Sequence, residues 1–467
     1  MNGADTVASA NANSQSESLR KFVSESEVAD RAKTGSAYRL LKRLIDVRPA
    51  EMRALAWSWL YIFCVLSAYY ILRPIRDDMG IAGGVENLPW LFTGTLLGMI
   101  VVNPPFAALV SKLPRVRFIA ISYRFFIVNL LIFILCFNVA TPEQHIWVGR
   151  IFFIWTSVFN LFVVSVFWAL MVDVFDSEQG KRLFGFIAAG ATLGGIAGSS
   201  ITASLAKNVP ATYLLLGSAV LLEAAVFSVR QLSGFSDAMH QRPGAGDKAP
   251  IGGSVFAGLT HAFKSPYLIN MSVYMLLFAV TSTLLYFQQL EIARQTFADR
   301  GARTAFFARI DLWVNILTLI AQLFLTARVL SGIGVALTMT ILPVLSILGF
   351  GALAAAPTIA VVVVYQVLRR AGNFAFARPT REVLFTVVPR EDKYKTKSFI
   401  DTVVYRTGDQ VGAWSFAVFG FLGLAMTGIS MVAVPISIAW LLNALWLGRK
   451  QERLAREEGS VSPIPAI

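Results

Sequence analysis

Between residues 54 and 447 the chain alternates long apolar blocks with short polar ones. A helix needs about twenty apolar residues to cross roughly 30 Å of hydrocarbon. Twelve blocks have that length: residues 54–72, 88–110, 118–139, 146–172, 184–205, 211–229, 267–289, 305–327, 332–353, 359–376, 399–422 and 426–447. The pattern predicts an all-α polytopic membrane protein with about twelve transmembrane helices.

Composition agrees with that class and excludes others. Hydrophobic residues make up 56% of the 467 residues and charged residues only 15%, against roughly 25% charged in a soluble domain. Mean hydropathy is +0.62. Cys64 and Cys136 lie in apolar blocks, and His145, His240 and His261 are scattered without ligand partners, so neither a disulfide framework nor a metal site is expected. No cofactor is implied.

The net charge of +13 could suggest nucleic acid. Its distribution points instead to topology, because Lys and Arg crowd alternate connections, as cytoplasmic loops require. With the N-terminus inside, the inner segments hold Lys112, Arg115, Arg117, Lys181, Arg182, a run from Arg369 to Lys397, and Arg449 to Arg456. The outer ones hold few, among them Arg73, Arg76 and Arg300. The expected location is a bacterial inner (plasma) membrane with both termini cytoplasmic and the basic loops against anionic lipid. Residues 1–50 read as a disordered basic tail without a signal peptide, and residues 448–467 as a cytoplasmic C-tail.

The longest internal connection, residues 231–266, is rich in Gly, Ser and Pro and separates a six-span half (51–230) from a second one (267–447). A stretch at 174–198 can be laid on 388–412, so that Gly194 and Gly198 in span 5 correspond to Gly408 and Gly412 in span 11. Two parallel six-helix halves form the major facilitator (MFS) architecture, in which the halves rock around a site near the midplane. Nothing in the pattern demands more than a monomer.

Ionisable groups inside spans are costly and mark function or pairing. In span 11, Asp401, Tyr405 and Asp409 recur every four residues and are expected to share a face, with Arg406 three residues before Asp409. They are candidate substrate groups, or Arg406 and Asp409 form a pair that only holds the bundle. Glu223 in span 6 is a second candidate, with Asp409, for proton coupling; alternatively it pairs with Arg124. Arg309 and Asp311, two apart, should find separate partners. After span 1, Arg73 and Arg76 suit phosphate or carboxylate if the helix continues past Pro74; otherwise Arg76 pairs with Asp77 or Asp78 in an external turn. The turns carrying Asp173, Asp176, Lys181 and Arg182, and Arg378 and Arg381, are candidate inter-half gates.

Three strings, YYILRPIRDD at residues 69–78, VVSVFWALMVDVFDSEQGKRLFGFIAAGA at 163–191 and FARPTREVLFTVVPREDKYKTKSFIDTVVYRTGDQVG at 376–412, resemble the ATP/ADP translocases of plastids and obligate intracellular bacteria. The resemblance implies a facilitator-type nucleotide exchanger without ATP hydrolysis. Arg76, with Arg73, matches the family's basic residue after span 1. The family's acidic positions in spans 4 and 7 meet Thr156 or Ser157 and Gln288, and its span 11 lysine falls on Asp409.

The expected function is therefore secondary, alternating-access transport of a nucleotide-like or other organic anion. The partners are a small anionic solute and the lipid bilayer, with protons as a candidate coupling ion and no nucleic acid. One alternative is proton-coupled transport of another solute. A membrane transferase built on Asp173 and Asp176 is a third reading, from a single Asp-x-x-Asp pair, but the chain is not expected to be an enzyme.

Overall fold

The computed structural model describes residues 47–112, 115–239, 265–388, 396–397 and 399–461. Most of the N-tail, the central connection and residues 389–395 lie outside the described residues. Helices follow in chain order: α1 Met52–Ala82, α2 Leu88–Lys112, α3 Arg115–Val139, α4 Pro142–Val174, α5 Ser177–Leu205 and α6 Ala211–Met239 in the N-terminal half. In the C-terminal half come α7 Pro266–Thr296, α8 Arg300–Phe324, α9 Thr326–Ala355, α10 Ile359–Leu384, α11 Ile400–Phe421 and α12 Met426–Val461. Among the described residues no strand occurs, and eleven helices are long and apolar enough to span a membrane. The twelfth, α11, opens with a π turn, Ile400–Val404, before its regular part.

Two helices run further than their apolar blocks suggest, which corrects the placement of several charges. Pro74 does not end α1, and ten further residues carry Arg73, Arg76, Asp77 and Asp78 within the helix. Likewise α10 continues past its apolar block to Leu384, so Arg378 and Arg381 are helical, and Arg369 and Arg370, which stand inside that block, belong to the helix rather than to a basic loop. A π turn at Asn373–Ala377 interrupts α10.

Small residues position the helices around the centre. A Cβ on Gly194 would stand 2.5 Å from the Phe63 carbonyl oxygen, and one on Gly198 closer still to that of Ser67, so α5 lies directly on the α1 backbone. In the other half a Cβ on Gly408 would meet Ala279 at 2.6 Å, and one on Gly412 would meet Thr283 at 2.9 Å, which seats α11 on α7. The two Gly-xxx-Gly pairs thus make the same close approach in each half. Between the halves, α5 packs on α8 and α2 on α11; Gly195 faces Asn315 with 2.7 Å between a built Cβ and Oδ1.

The bundle has a basic end, which holds the α4–α5 turn and the C-terminal ends of α2 and α10, and a far end. Capping explains the α4–α5 turn: Asp176 Oδ1 accepts from the Gln179 amide at 2.8 Å, while the Gln179 side chain accepts from the Asp176 amide at 3.1 Å. Such a box contributes about 1 kcal/mol.

Candidate functional site

A cavity of about 670 Å³ lies between the halves and is lined by residues of α1, α2, α4, α5, α7, α8, α10 and α11. Six arginines line it: Arg73 and Arg76 from α1, Arg369, Arg370 and Arg378 from α10, and Arg406 from α11. Asp409 is the carboxylate among the lining residues. The wall from the N-terminal half also carries Tyr69, Tyr70, Phe153 and Trp168. A guanidinium presents a planar fork of donors to phosphate or carboxylate, and aromatic faces suit a planar ring.

Helical spacing delivers the α10 arginines. Gln366, Arg369, Arg370 and Asn373 follow the i, i+3, i+4, i+7 pattern of one helix face, and the π turn, with its i→i+5 hydrogen bonds, brings Arg378 below Asn373 on the same cavity. Arg369 is 2% exposed. Its Nη2 donates to the Phe278 carbonyl at 3.0 Å and to Thr281 Oγ1 at 2.9 Å, and its guanidinium stands 5.1 Å from the Phe278 ring centroid. Among the described residues no carboxylate lies within ion-pair distance of Arg369 or Arg378.

Three aspartates hold the other arginines. Asp311 of α8, 2% exposed, accepts on one oxygen from Arg73 at 3.1 Å and Arg370 at 2.6 Å, tying α1 to α8 and α10. This is the separate partnership expected of Asp311, with Arg309 turned to the exposed side. Asp77 accepts from Arg76 at 2.7 Å and from the Tyr286 hydroxyl at 2.7 Å. Arg76 also reaches Ser157 at 3.5 Å. Asp409 accepts from Arg406 at 3.1 Å and Thr283 at 3.2 Å.

Polar contacts joining the halves cluster toward the far end. Asp78 accepts from Arg300 at 3.0 Å and Arg303 at 2.6 Å, next to the Asp77–Tyr286 bond, and Thr93 meets Gln410 at 2.9 Å. At the basic end, two pairs each lie within one half: Arg182 binds Glu51 at 2.9 Å, and Lys397 binds Glu382. Of the expected gate residues, Asp173 closes α4, Asp176 caps α5, Lys181 and Arg182 lie in its first turns, Arg378 lines the cavity and Arg381 faces the Phe278 ring.

Not every expected site residue converges. Tyr405, Arg406 and Asp409 do, but the π turn shifts the register before Tyr405, and Asp401 lies with Arg381 and Glu382 in a separate small cleft. Glu223 pairs with Arg124 at 2.5 Å on the outer surface, away from the cavity. Sequence reasoning misses Arg369 and Arg370 as site residues and marks Asp311 only as an in-span carboxylate without naming its partners. The first two are hidden by their place in a basic run, although the Gln366–Asn373 polar stripe is legible.

Two six-helix halves closing on a central cavity is the facilitator architecture, and solved structures share it. A point mutant of the nucleoside transporter NupG superposes with a TM-score of 0.54 at 15% identity, covering 85% of this chain and 99% of that one. A bacterial homologue of the iron transporter ferroportin in an inward-facing state gives 0.58 at 13% identity, covering 86% and 98%. In sequence, the chain is similar over most of its length to ADP,ATP carriers, as its three strings predict. ADP,ATP carrier protein 1 of Chlamydia pneumoniae is 18% identical, covering 89% of this chain and 96% of the carrier. Carrier protein 1 of Chlamydia trachomatis serovar D is 19% identical, covering 85% and 89%. No protein-family model matches the chain. These similarities to carriers and transporters, and the capping role of Asp176, speak against the transferase reading.

Proposed function

We propose that this multi-pass membrane protein is a secondary transporter that exchanges nucleotide-like organic anions across the inner membrane by rocking its two halves, with both termini cytoplasmic. One observation carries the reading: six arginines from both halves converge on one cavity whose contacting carboxylates, Asp77, Asp311 and Asp409, are fewer. The surplus cations favour an anion with several charged oxygens, and Tyr69, Tyr70, Phe153 and Trp168 provide a surface for a planar ring. The similarity to ADP,ATP carriers supports the same substrate class.

In this reading the far-end contacts of Asp77 and Asp78 close the outer side, and the substrate enters from the cytoplasm. Arg76 and Arg378 bind it directly, whereas Asp409 holds Arg406 and gives it up when phosphate arrives. The test is counter-exchange in proteoliposomes loaded with unlabelled ATP, ADP or phosphate and presented with labelled nucleotide. Uptake should require an internal anion, and Arg76→Ala or Arg378→Ala should lower it about tenfold or more while insertion is unchanged, as loss of one charge-assisted contact implies. Absence of uptake by folded, inserted protein for all three loads would refute the exchange of nucleotides.

A second reading, proton-coupled transport, is favoured by Asp409, which places a titratable acid among the lining arginines. Asp409→Asn should then uncouple uptake from an imposed pH gradient.

A further inference from the structure

Arg124 of α3 and Glu223 of α6 form a two-point ion pair on the outer surface of the N-terminal half: Nη2 donates to Oε1 at 2.5 Å and Nε to Oε2 at 3.3 Å. Their side chains nevertheless stay 44% and 50% exposed. Neither belongs to the cavity lining.

Depth makes this exposure costly. Glu223 stands twelve residues from the Ala211 start of α6 and nine from Leu232, where the apolar span ends; at 1.5 Å per residue these are about 18 and 14 Å. The pair therefore sits near the middle of a hydrocarbon layer about 30 Å thick. Its surroundings are apolar, with Phe125 and Val128 on α3 and Val220 and Phe227 on α6 all exposed. Lipid chains offer no partner to the remaining guanidinium protons and carboxylate lone pairs. Arg309 also turns outward, but a lone cation on a long stem reaches an interface by snorkelling. A short glutamate locked in a two-point pair does not.

We propose that the α3/α6 face is the contact surface between two copies of this chain in the membrane. Charge complementarity selects the second copy as occupant. A two-fold axis beside the pair sets each Arg124 against Glu223 of the other copy, since every contact in an isologous interface is made twice. The four charges close a ring whose spare donors and acceptors satisfy one another, and the four apolar side chains around it exclude lipid. An unrelated helix would have to bring its own matched acid and base, which a second copy already carries.

The experiment is single-molecule photobleaching of the full-length chain in phosphatidylcholine vesicles at graded protein density, together with disulfide cross-linking of a Val128→Cys variant against the unsubstituted chain. Two-step bleaching and a cross-linked dimer are expected. Arg124→Glu or Glu223→Arg should weaken dimerisation about tenfold or more, and the combined Arg124→Glu and Glu223→Arg exchange should restore it, because matched charges return in opposite order. Should a single reversal fail to fold, bleaching and the Val128→Cys cross-link on native charges decide alone. A chain that bleaches in one step at every density and yields no cross-link overturns the proposal, and so does a dimer indifferent to both reversals.

Discussion

Two of the ion clusters within the span region differ in what surrounds them. Arg73, Asp311 and Arg370 meet between the halves with Asp311 almost wholly enclosed, whereas Arg124 and Glu223 pair on the outer surface with about half of each side chain exposed. The inner cluster joins helices of opposite halves and borders the cavity. The outer one joins neighbouring helices of a single half and stands outside the lining of the central cavity. An ionisable residue in a span therefore marks a place where the helix cannot face plain lipid, but only its neighbours decide whether it serves transport, packing or association.

The largest effect should come from removing the anion of the inner cluster. Asp311→Asn leaves two enclosed arginines without their shared counter-charge, and a broken buried pair costs about 3–5 kcal/mol. Thermal unfolding in detergent should show that loss; a transition within a degree of the native chain would contradict the structural weight given to Asp311. The outer pair is the contrast. Glu223→Gln in the same detergent leaves Arg124 on an open face from which its long stem can snorkel towards water, so the loss should be smaller than that of Asp311→Asn, and an equal loss would erase the distinction.

A third pair, at the water-facing basic end, gives the smallest effect and depends on pH. Burial opposes the charge of Glu51, but hydrogen bonds from Arg182, the Arg48 amide and Gln179 outweigh it and hold the carboxyl below its ordinary range near 4.5. A group whose folded pKa is depressed adds stability above its unfolded pKa and loses it as pH falls through the folded value. The native chain should therefore lose stability below about pH 4.5, and Glu51→Gln should flatten that part of the profile. Equal acid sensitivity in both would remove Glu51 as a source.

The candidate site was only partly legible. Arg73, Arg76, Tyr405, Arg406 and Asp409 are visible as charges and aromatics at or within spans, and each lines the cavity. Asp401 shows how local periodicity misleads: four-residue spacing holds only while the helix stays α, and a π turn before Tyr405 breaks it. Arg369 and Arg370 fail for another reason. Charge density alone assigns them to a loop, while their one-face spacing with Gln366 and Asn373 already belongs to a helix.

The class of protein, the order of its spans and the glycine pairs that seat α5 on α1 and α11 on α7 follow from the sequence alone, because apolar length and small-residue spacing act within single helices and their immediate neighbours. Which charges meet was decided by the tertiary structure. Asp311 could have been served by any arginine at its depth, and the rotation and extension of α1, α8 and α10 brought it Arg73 and Arg370. Glu223 found Arg124 because α3 and α6 lie side by side on the outer surface. Coulomb attraction is non-directional and carries no register of its own, so its partners are set by how helices pack and not by how residues are spaced.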